Sequence, residues 1–141
     1  MMQQMSLITL GIADVARSRR FYGEGFGWKP VAEMPDITFY QLNGFVFATW
    51  LEKSLEEDMQ RSGNAQKGAF AMAHNVRSRE EVEPIIAQLV KHGGKLLRAA
   101  DEPPHGGFRG YVADPDDHAW EIAWNPGWPI SPEGYVTAKF G

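Results

Sequence analysis

The sequence contains no cysteine. That excludes disulfides, thiolate metal sites and a cysteine nucleophile, and it suits a reducing cytoplasm, the expected compartment. Basic runs are missing as well. The 14 Lys and Arg are outnumbered by 18 Asp and Glu, leaving a net charge of -4, with a pI near 5.5. Such a chain carries no electrostatic footprint for nucleic acid. No apolar run is long enough to span a bilayer, so no membrane association is expected. Met1-Met2-Gln3-Gln4-Met5 has neither the basic segment nor the apolar stretch of a signal peptide. What is present is ordinary for a globular protein: 141 residues, 43% hydrophobic and 23% charged. That is enough for a single domain with a real core.

The most informative stretch is residues 110–124. Two aromatic-rich apolar runs flank the turn Asp114-Pro115-Asp116-Asp117-His118. Pro115 fixes φ and the short Asp side chains can bond their own backbone, which predicts a hairpin. After the turn, Glu121 stands between Trp120 and Ile122. Burying a lone carboxylate is costly, so Glu121 should face a cavity and not a core.

Read in order, residues 7–13 form a buried strand with Gly11 as a close-approach point. Asp14 then caps a helix that presents Val15, Ser18, Phe21 and Tyr22 on one face and ends at Gly23, Gly25 and Gly27. Strands follow over residues 31–34, 37–42 and 45–51, the last two joined by an Asn43-Gly44 turn. Ser54-Leu55-Glu56-Glu57 reads as a capping box. It opens a short helix running to about Arg61 and breaking at Ser62-Gly63-Asn64. The second half repeats the order, with a strand over residues 69–76 and a second capping box at Ser78-Arg79-Glu80-Glu81. Val82, Ile85, Ile86, Leu89 and Val90 then make an apolar helical stripe that Gly93-Gly94 closes. Pro84 conflicts with a cap at Ser78, so this helix kinks or starts late. Strands over residues 95–99, 108–113 and 119–124 complete the second half, and the tail from Pro126 is irregular.

The result is β-α-β-β-β twice, an internal repeat. The modules span about residues 5–53 and about 67–125, with a linker over about 54–66 and a tail over 126–141. Asp114-Pro115-Asp116-Asp117-His118-Ala119-Trp120-Glu121 resembles the Asp-Pro-Asp-Gly-His-x-x-Glu signature of the vicinal oxygen chelate superfamily. That superfamily includes glyoxalase I, the extradiol dioxygenases and the fosfomycin- and bleomycin-resistance proteins. The run Asp14 … Ser18 … Phe21-Tyr22 … Gly27-Trp28 is similar to its first module. One departure is Asp117, where the family has Gly; Asp visits left-handed backbone readily enough for the turn to survive. The resemblance implies an α+β fold with two βαβββ modules in a curved mixed sheet around a cleft. It also implies a homodimer that completes its clefts across subunits, with a small molecule as ligand.

In metal-dependent members the signature Glu binds the ion, and that position is Glu121. Aligning the halves puts the other three ligand positions at Leu7, Ala48 and Ala71, which cannot ligate. The resemblance therefore implies the fold without the usual metal, and no cofactor is expected. Glu121 is the candidate catalytic base, desolvated beside Trp side chains and able to remove a proton next to a carbonyl. The alternative is a structural ion pair with Arg109. Arg109 is in turn a candidate anchor for an anionic substrate or a plain surface charge. Trp50, Phe39 and Tyr111 are candidates to line a flat pocket, or simply core. His105, between Pro104 and Gly106, is a candidate acid or base on a loop, or a solvated residue. His74 has the parity of the helix layer, His118 belongs to the turn, and His92 ends a helix. Two functions are open: a glyoxalase-like lyase or isomerase working by proton transfer, and a non-catalytic binding protein similar to the bleomycin-resistance proteins.

Overall fold

The computed structural model describes residues 1–63 and 70–140. Among these the chain runs β1 (Leu7–Ile12), α1 (Val15–Arg19, continued by a wide turn over Arg20–Gly25), β2 (Ala32–Glu33), β3 (Ile37–Gln41), β4 (Val46–Leu51) and α2 (Glu52–Met59). Then come β5 (Met72–Val76), a tight turn (Arg79–Glu81) leading into α3 (Val82–Lys91), β6 (Lys95–Asp101), β7 (Phe108–Ala113) and β8 (Ala119–Trp124). The strands form two four-stranded sheets, β1-β4-β3-β2 and β5-β8-β7-β6. In each, the first strand lies parallel to the last and every other pair is antiparallel. The fold is α+β, with the βαβββ module repeated as the sequence predicts.

Local chemistry sets the element ends. The Asp14 carboxylate accepts from the Arg17 amide at 2.8 Å and starts α1. Ser78 and Glu81 form the predicted capping box. The conflict at Pro84 resolves as a late start: α3 proper begins at Val82. That puts Pro84 in the first turn, where its missing N–H costs nothing. The predicted box at Ser54 does not form. α2 starts at Glu52, directly after β4, and Leu51 holds the cap position. Ser54 lies inside the helix and bonds the Asp36 carboxylate instead. The helix stops at Met59 with Gln60 left-handed at φ 53. The rest of the predicted linker beyond Gly63, and the predicted strand start at Ala69, lie outside the described residues.

Alternation along each strand sends one set of side chains toward α1 and α3 and the other set away, where α2 packs over Gly11 of the first sheet. The faces bearing α1 and α3 meet in one core. Phe47 of β4 and Trp120 of β8 approach to 6.0 Å between ring centroids. Tyr22 fits against both, at 4.9 and 6.2 Å. Val82, Ile86 and Leu89 of α3 join the same cluster with Leu10, Tyr40, Val112 and Ile122. Because the inner faces meet, the outer faces point away from each other. The central row of one carries Thr9, Ala48 and Phe39. The matching row of the other carries Ala73, Glu121 and Tyr111. No helix among the described residues is long and apolar enough to cross a membrane.

Candidate functional site

The turn between β7 and β8 positions everything near Glu121. Asp117 takes the left-handed conformation at φ 68, and the turn closes with Asp117 N–H donating to Asp114 O at 3.0 Å and Asp114 N–H to His118 O at 2.8 Å. The Asp114 carboxylate is buried. It accepts from the amides of Asp116 and His118, each at 2.9 Å, and from the Tyr22 hydroxyl at 2.6 Å. Trp120 Nε1 donates to that same hydroxyl oxygen at 3.2 Å. Burial and the neighbouring Asp114 push the Tyr22 phenol well above its usual pKa. Asp116 Oδ1 accepts from the Ala13 amide at 2.9 Å and from Arg17 at 2.7 Å. His118 Nε2 lies 2.8 Å from the Gly11 carbonyl. The signature turn is thus a clasp joining the second module to the strand–helix junction of the first. Sequence reasoning placed His118 in a local turn and missed the reach of the motif. The signal was available: Asp14 and Tyr22 belong to the other half of the same resemblance.

Beyond the clasp, alternation turns Glu121 to the outer face of its sheet, so within one chain the carboxylate does not point into the cavity that the sequence predicts for it. Glu121 is half-buried and sits beside Tyr111 in register, with the Tyr111 hydroxyl donating to Glu121 Oε2 at 3.2 Å. Burial and the adjacent Glu121 raise the Tyr111 pKa, so the phenol keeps its proton. Arg109 lies on the same face but does not pair with Glu121, so the alternative of a structural ion pair between them is not formed. Its guanidinium is bonded to the Asp101 carboxylate, which Arg98 also holds at 2.8 Å. The two arginines keep the Asp101 carboxyl below the usual carboxylate range. Arg98 and Asp101 were not foreseen, because irregular pairing between β6 and β7 breaks the alternation there.

The other predicted site residues fall elsewhere. Trp50 and Phe39 lie on the outer face of the first sheet, where Trp50 Nε1 donates to Asp36 Oδ2 at 2.8 Å. That hydrogen bond lowers the Asp36 pKa. One chain therefore does not bring Trp50 and Phe39 together with Tyr111 and Glu121. His105 is exposed in the β6–β7 loop, before Gly106 and Gly107, both at positive φ. His74 points into the helix-side interior, as its parity predicts, with its ring 5.7 Å from Phe26. Burial lowers its pKa.

The donor set for a transition metal is poor. Thr9 pairs with Ala48 and Ala73 with Glu121 in the parallel registers. Leu7 and Ala71 lie two residues earlier on the same faces. Glu121 is thus the one carboxylate among the four family ligand positions. Among the described residues no three His, Cys, Asp or Glu side chains gather as a metal site. A single carboxylate and a phenol do not match the several N or O donors such an ion needs.

The sequence matches the family model of the Glyoxalase/Bleomycin resistance protein/Dioxygenase superfamily over residues 4–122. A glyoxalase-related enzyme from Fulvimarina pelagi superposes with a TM-score of 0.95 at 59% identity, over 97% of this chain and 99% of that one. A glyoxalase/bleomycin resistance protein/dioxygenase family enzyme from Burkholderia phytofirmans gives 0.76 at 18% identity, over 84% and 96% of the two chains. A lactoylglutathione lyase from Agrobacterium tumefaciens gives 0.70 at 16% identity, over 87% and 94%. The last two likenesses concern the fold alone.

Proposed function

The chain belongs to the Glyoxalase/Bleomycin resistance protein/Dioxygenase superfamily, and from that premise we propose that it is a small-molecule lyase or isomerase that works by proton transfer without the usual divalent ion. The observation that carries this reading is the Glu121–Tyr111 pair, a carboxylate and a protonated phenol side by side on an outward face. Glu121 is the catalytic base and takes a proton from carbon next to a carbonyl. Tyr111 turns its one O–H from Glu121 to the substrate oxygen on which charge develops. Glu121 then returns the proton, to the neighbouring carbon in an isomerisation or to the departing group as its bond to carbon breaks in an elimination. Arg109 and Arg98, spread around Asp101, draw an anionic substrate to this face. His105, on its loop, is the candidate second acid or base. A cytoplasmic homodimer, one domain per chain, completes the cleft by bringing Trp50 and Phe39 of a second copy opposite Glu121.

The test is turnover of a dicarbonyl panel by the metal-stripped protein, with metal content measured alongside. Stripped protein should keep its activity, and Glu121→Gln should lower kcat/KM by about 10²–10⁴-fold. Activity that vanishes on stripping and returns with zinc, nickel, iron or manganese would end the metal-free reading. A second reading, sequestration without catalysis, draws support from the outer face of the first sheet, where Leu7, Val46, Phe39 and Trp50 offer no charge. Titration of Trp fluorescence with a cationic glycopeptide, together with no turnover of any panel member, would favour it.

A further inference from the structure

Three strands carry one row of side chains on the outward face of the second sheet. Arg98 of β6 pairs with Tyr111 of β7, and Tyr111 pairs with Glu121 of β8. A cation, a proton donor and a carboxylate therefore follow one another, on strands about 4.8 Å apart. Arg109 stands two residues before Tyr111, on the same face. Burial and Glu121 raise the Tyr111 pKa while Arg109 and Arg98 oppose the rise, so both guanidinium groups act on the phenol.

The cationic end of this row is already filled by a carboxylate. Asp101, the last residue of β6, lies opposite Arg109 in register. It accepts from Arg98 Nε at 3.2 Å and from Arg98 Nη2 at 2.8 Å. Arg109 Nη1 donates to the same Oδ1 that Arg98 Nε reaches. The arginine is covered and the carboxylate is not: the Arg109 side chain is 13% exposed, that of Asp101 50%. An ion pair so open to water is weak, and another anion can exchange for one partner. The backbone need not move for such an exchange. Glu102, the next residue, is held by Arg79 at 2.7 Å, and rotation of the Asp101 side chain suffices.

We propose that Asp101 is a built-in competitor for the substrate's own acid group, and that the outward site takes a short-chain oxo monocarboxylate. The substrate carboxylate displaces Asp101 from Arg109 and Arg98, and the carbonyl then lies beside Tyr111. The place of the reacting carbon at Glu121 rests on the proton-transfer reading above; the exchange at the arginines does not. Two observations select this class. The group already seated on both guanidinium groups is a carboxylate, so another carboxylate matches their geometry. The two arginines also face two carboxylates, Asp101 and Glu121. Each added negative charge is therefore unmatched, and a phosphate dianion adds two where a monocarboxylate adds one.

The probe is 4-oxopentanoate, titrated calorimetrically into the purified protein at mildly alkaline pH. The uncharged control is 2-pentanone, and inorganic phosphate is the dianion. Asp101→Asn removes the competitor and should tighten 4-oxopentanoate about fivefold, the size of an exposed ion pair. Asp101→Ser should do the same, which keeps the test decisive if one variant fails to fold. A residue that merely positions Arg109 would give the opposite sign, weaker binding on substitution. Glu102→Gln removes a negative charge one residue away and should leave the affinity within about twofold. Affinity for 2-pentanone should be the same in all variants, and phosphate should bind Asp101→Asn more weakly than 4-oxopentanoate does. No saturable binding to Asp101→Asn, parental or weaker affinity there, a matching gain in Glu102→Gln, a gain for 2-pentanone, or phosphate binding as tight as the acid would each overturn the proposal. Turnover is read separately. No turnover with the Asp101→Asn gain intact removes the proton-transfer reading and leaves this one standing; turnover without that gain does the reverse.

Discussion

Two turns occupy the same place in the repeated module, and they behave differently. Asn43-Gly44 joins the last two strands of the first module; residues 114–118 join the last two of the second. The first is a minimal reversal. Gly44 takes φ +85 and Leu42 N–H donates to Phe45 O at 2.9 Å. Among the described residues, its long-range side-chain contact is one bond, from Asn43 Nδ2 to Glu133 O in the tail at 3.2 Å. The second is anchored through Asp114, Asp116 and His118 to Tyr22, Ala13, Arg17 and Gly11 of the other module. Duplication thus preserved the hairpin but assigned assembly to one copy. Most of the family signature in this chain holds the modules together, and only Glu121 of the quoted run emerges on the outward face with chemistry to offer.

The comparison breaks most sharply at Asp114. Asp114→Ala strands the Tyr22 hydroxyl and two turn amides in a buried place, and leaving buried donors unpaired costs about 1–3 kcal/mol for each network so disrupted. We expect a loss near the top of that range, about 3 kcal/mol, read as a drop in Tm of roughly 10 °C. Asp114 also gives a pH signature. Burial raises its folded-state pKa above the ordinary 3.8, against the opposing pull of its hydrogen bonds and His118. The native state therefore holds the proton more tightly than the unfolded chain. This group's contribution is largest below the unfolded pKa and is lost as pH rises through the raised value. Asp114→Asn should remove that slope from unfolding free energy measured between pH 3.5 and neutrality, at about the cost of one hydrogen bond. A slope unchanged in the variant would assign the titration elsewhere.

His118→Ala comes next. It removes the contact to the Gly11 carbonyl and a ring stacked 6.5 Å from Phe70. At a partly exposed position this should cost about 1 kcal/mol by urea unfolding. Asn43→Ala, the counterpart in the first module, should cost no more than about 0.5 kcal/mol, since it removes one solvent-exposed bond. If the two costs came out equal, the claim that one turn does the joining would fail.

The sequence carried the element order, the repeat, the α+β class and the parity of nearly every strand residue, because those follow from local patterns of period two and 3.6. Parity alone put Glu121 on the expected cleft face, with Trp50, and His74 on the helix face. It could not say that the helix faces of the two modules meet. That is a long-range choice, fixed by Tyr22 standing between Phe47 and Trp120 and by Asp116 reaching Ala13, more than a hundred residues away. So Trp50 and Glu121, alike in parity, end on faces that point apart. Arg109 shows the same limit at short range. Its partner Asp101 sits on a strand whose bulges spoil the alternation, and charge and spacing alone could not prefer it over Glu121. The cap at Ser54 failed for a different reason: α2 follows β4 without a loop, and a side chain already inside a helix cannot cap it.

The smallest effect sharpens the comparison from the other side. Gly44 in the first turn takes positive φ without steric cost, and Asp117 does so in the second at φ 68. A non-glycine residue there carries strain of about 1 kcal/mol, less for Asp than for most. Asp117 is exposed, and its backbone N–H already closes the turn onto Asp114 O. Asp117→Gly relieves the strain but gives the unfolded chain extra freedom worth about 0.4–1 kcal/mol. The two nearly cancel, so the urea midpoint should shift by less than the equivalent of about 0.5 kcal/mol, with the slope unchanged. A large gain would mean that the turn is held under tension by its anchors in the first module. In that case the clasp would be strained into place rather than merely fitted, and Asp117→Gly combined with Asp114→Ala should lose that gain, because a turn released from Tyr22 has nothing to strain against.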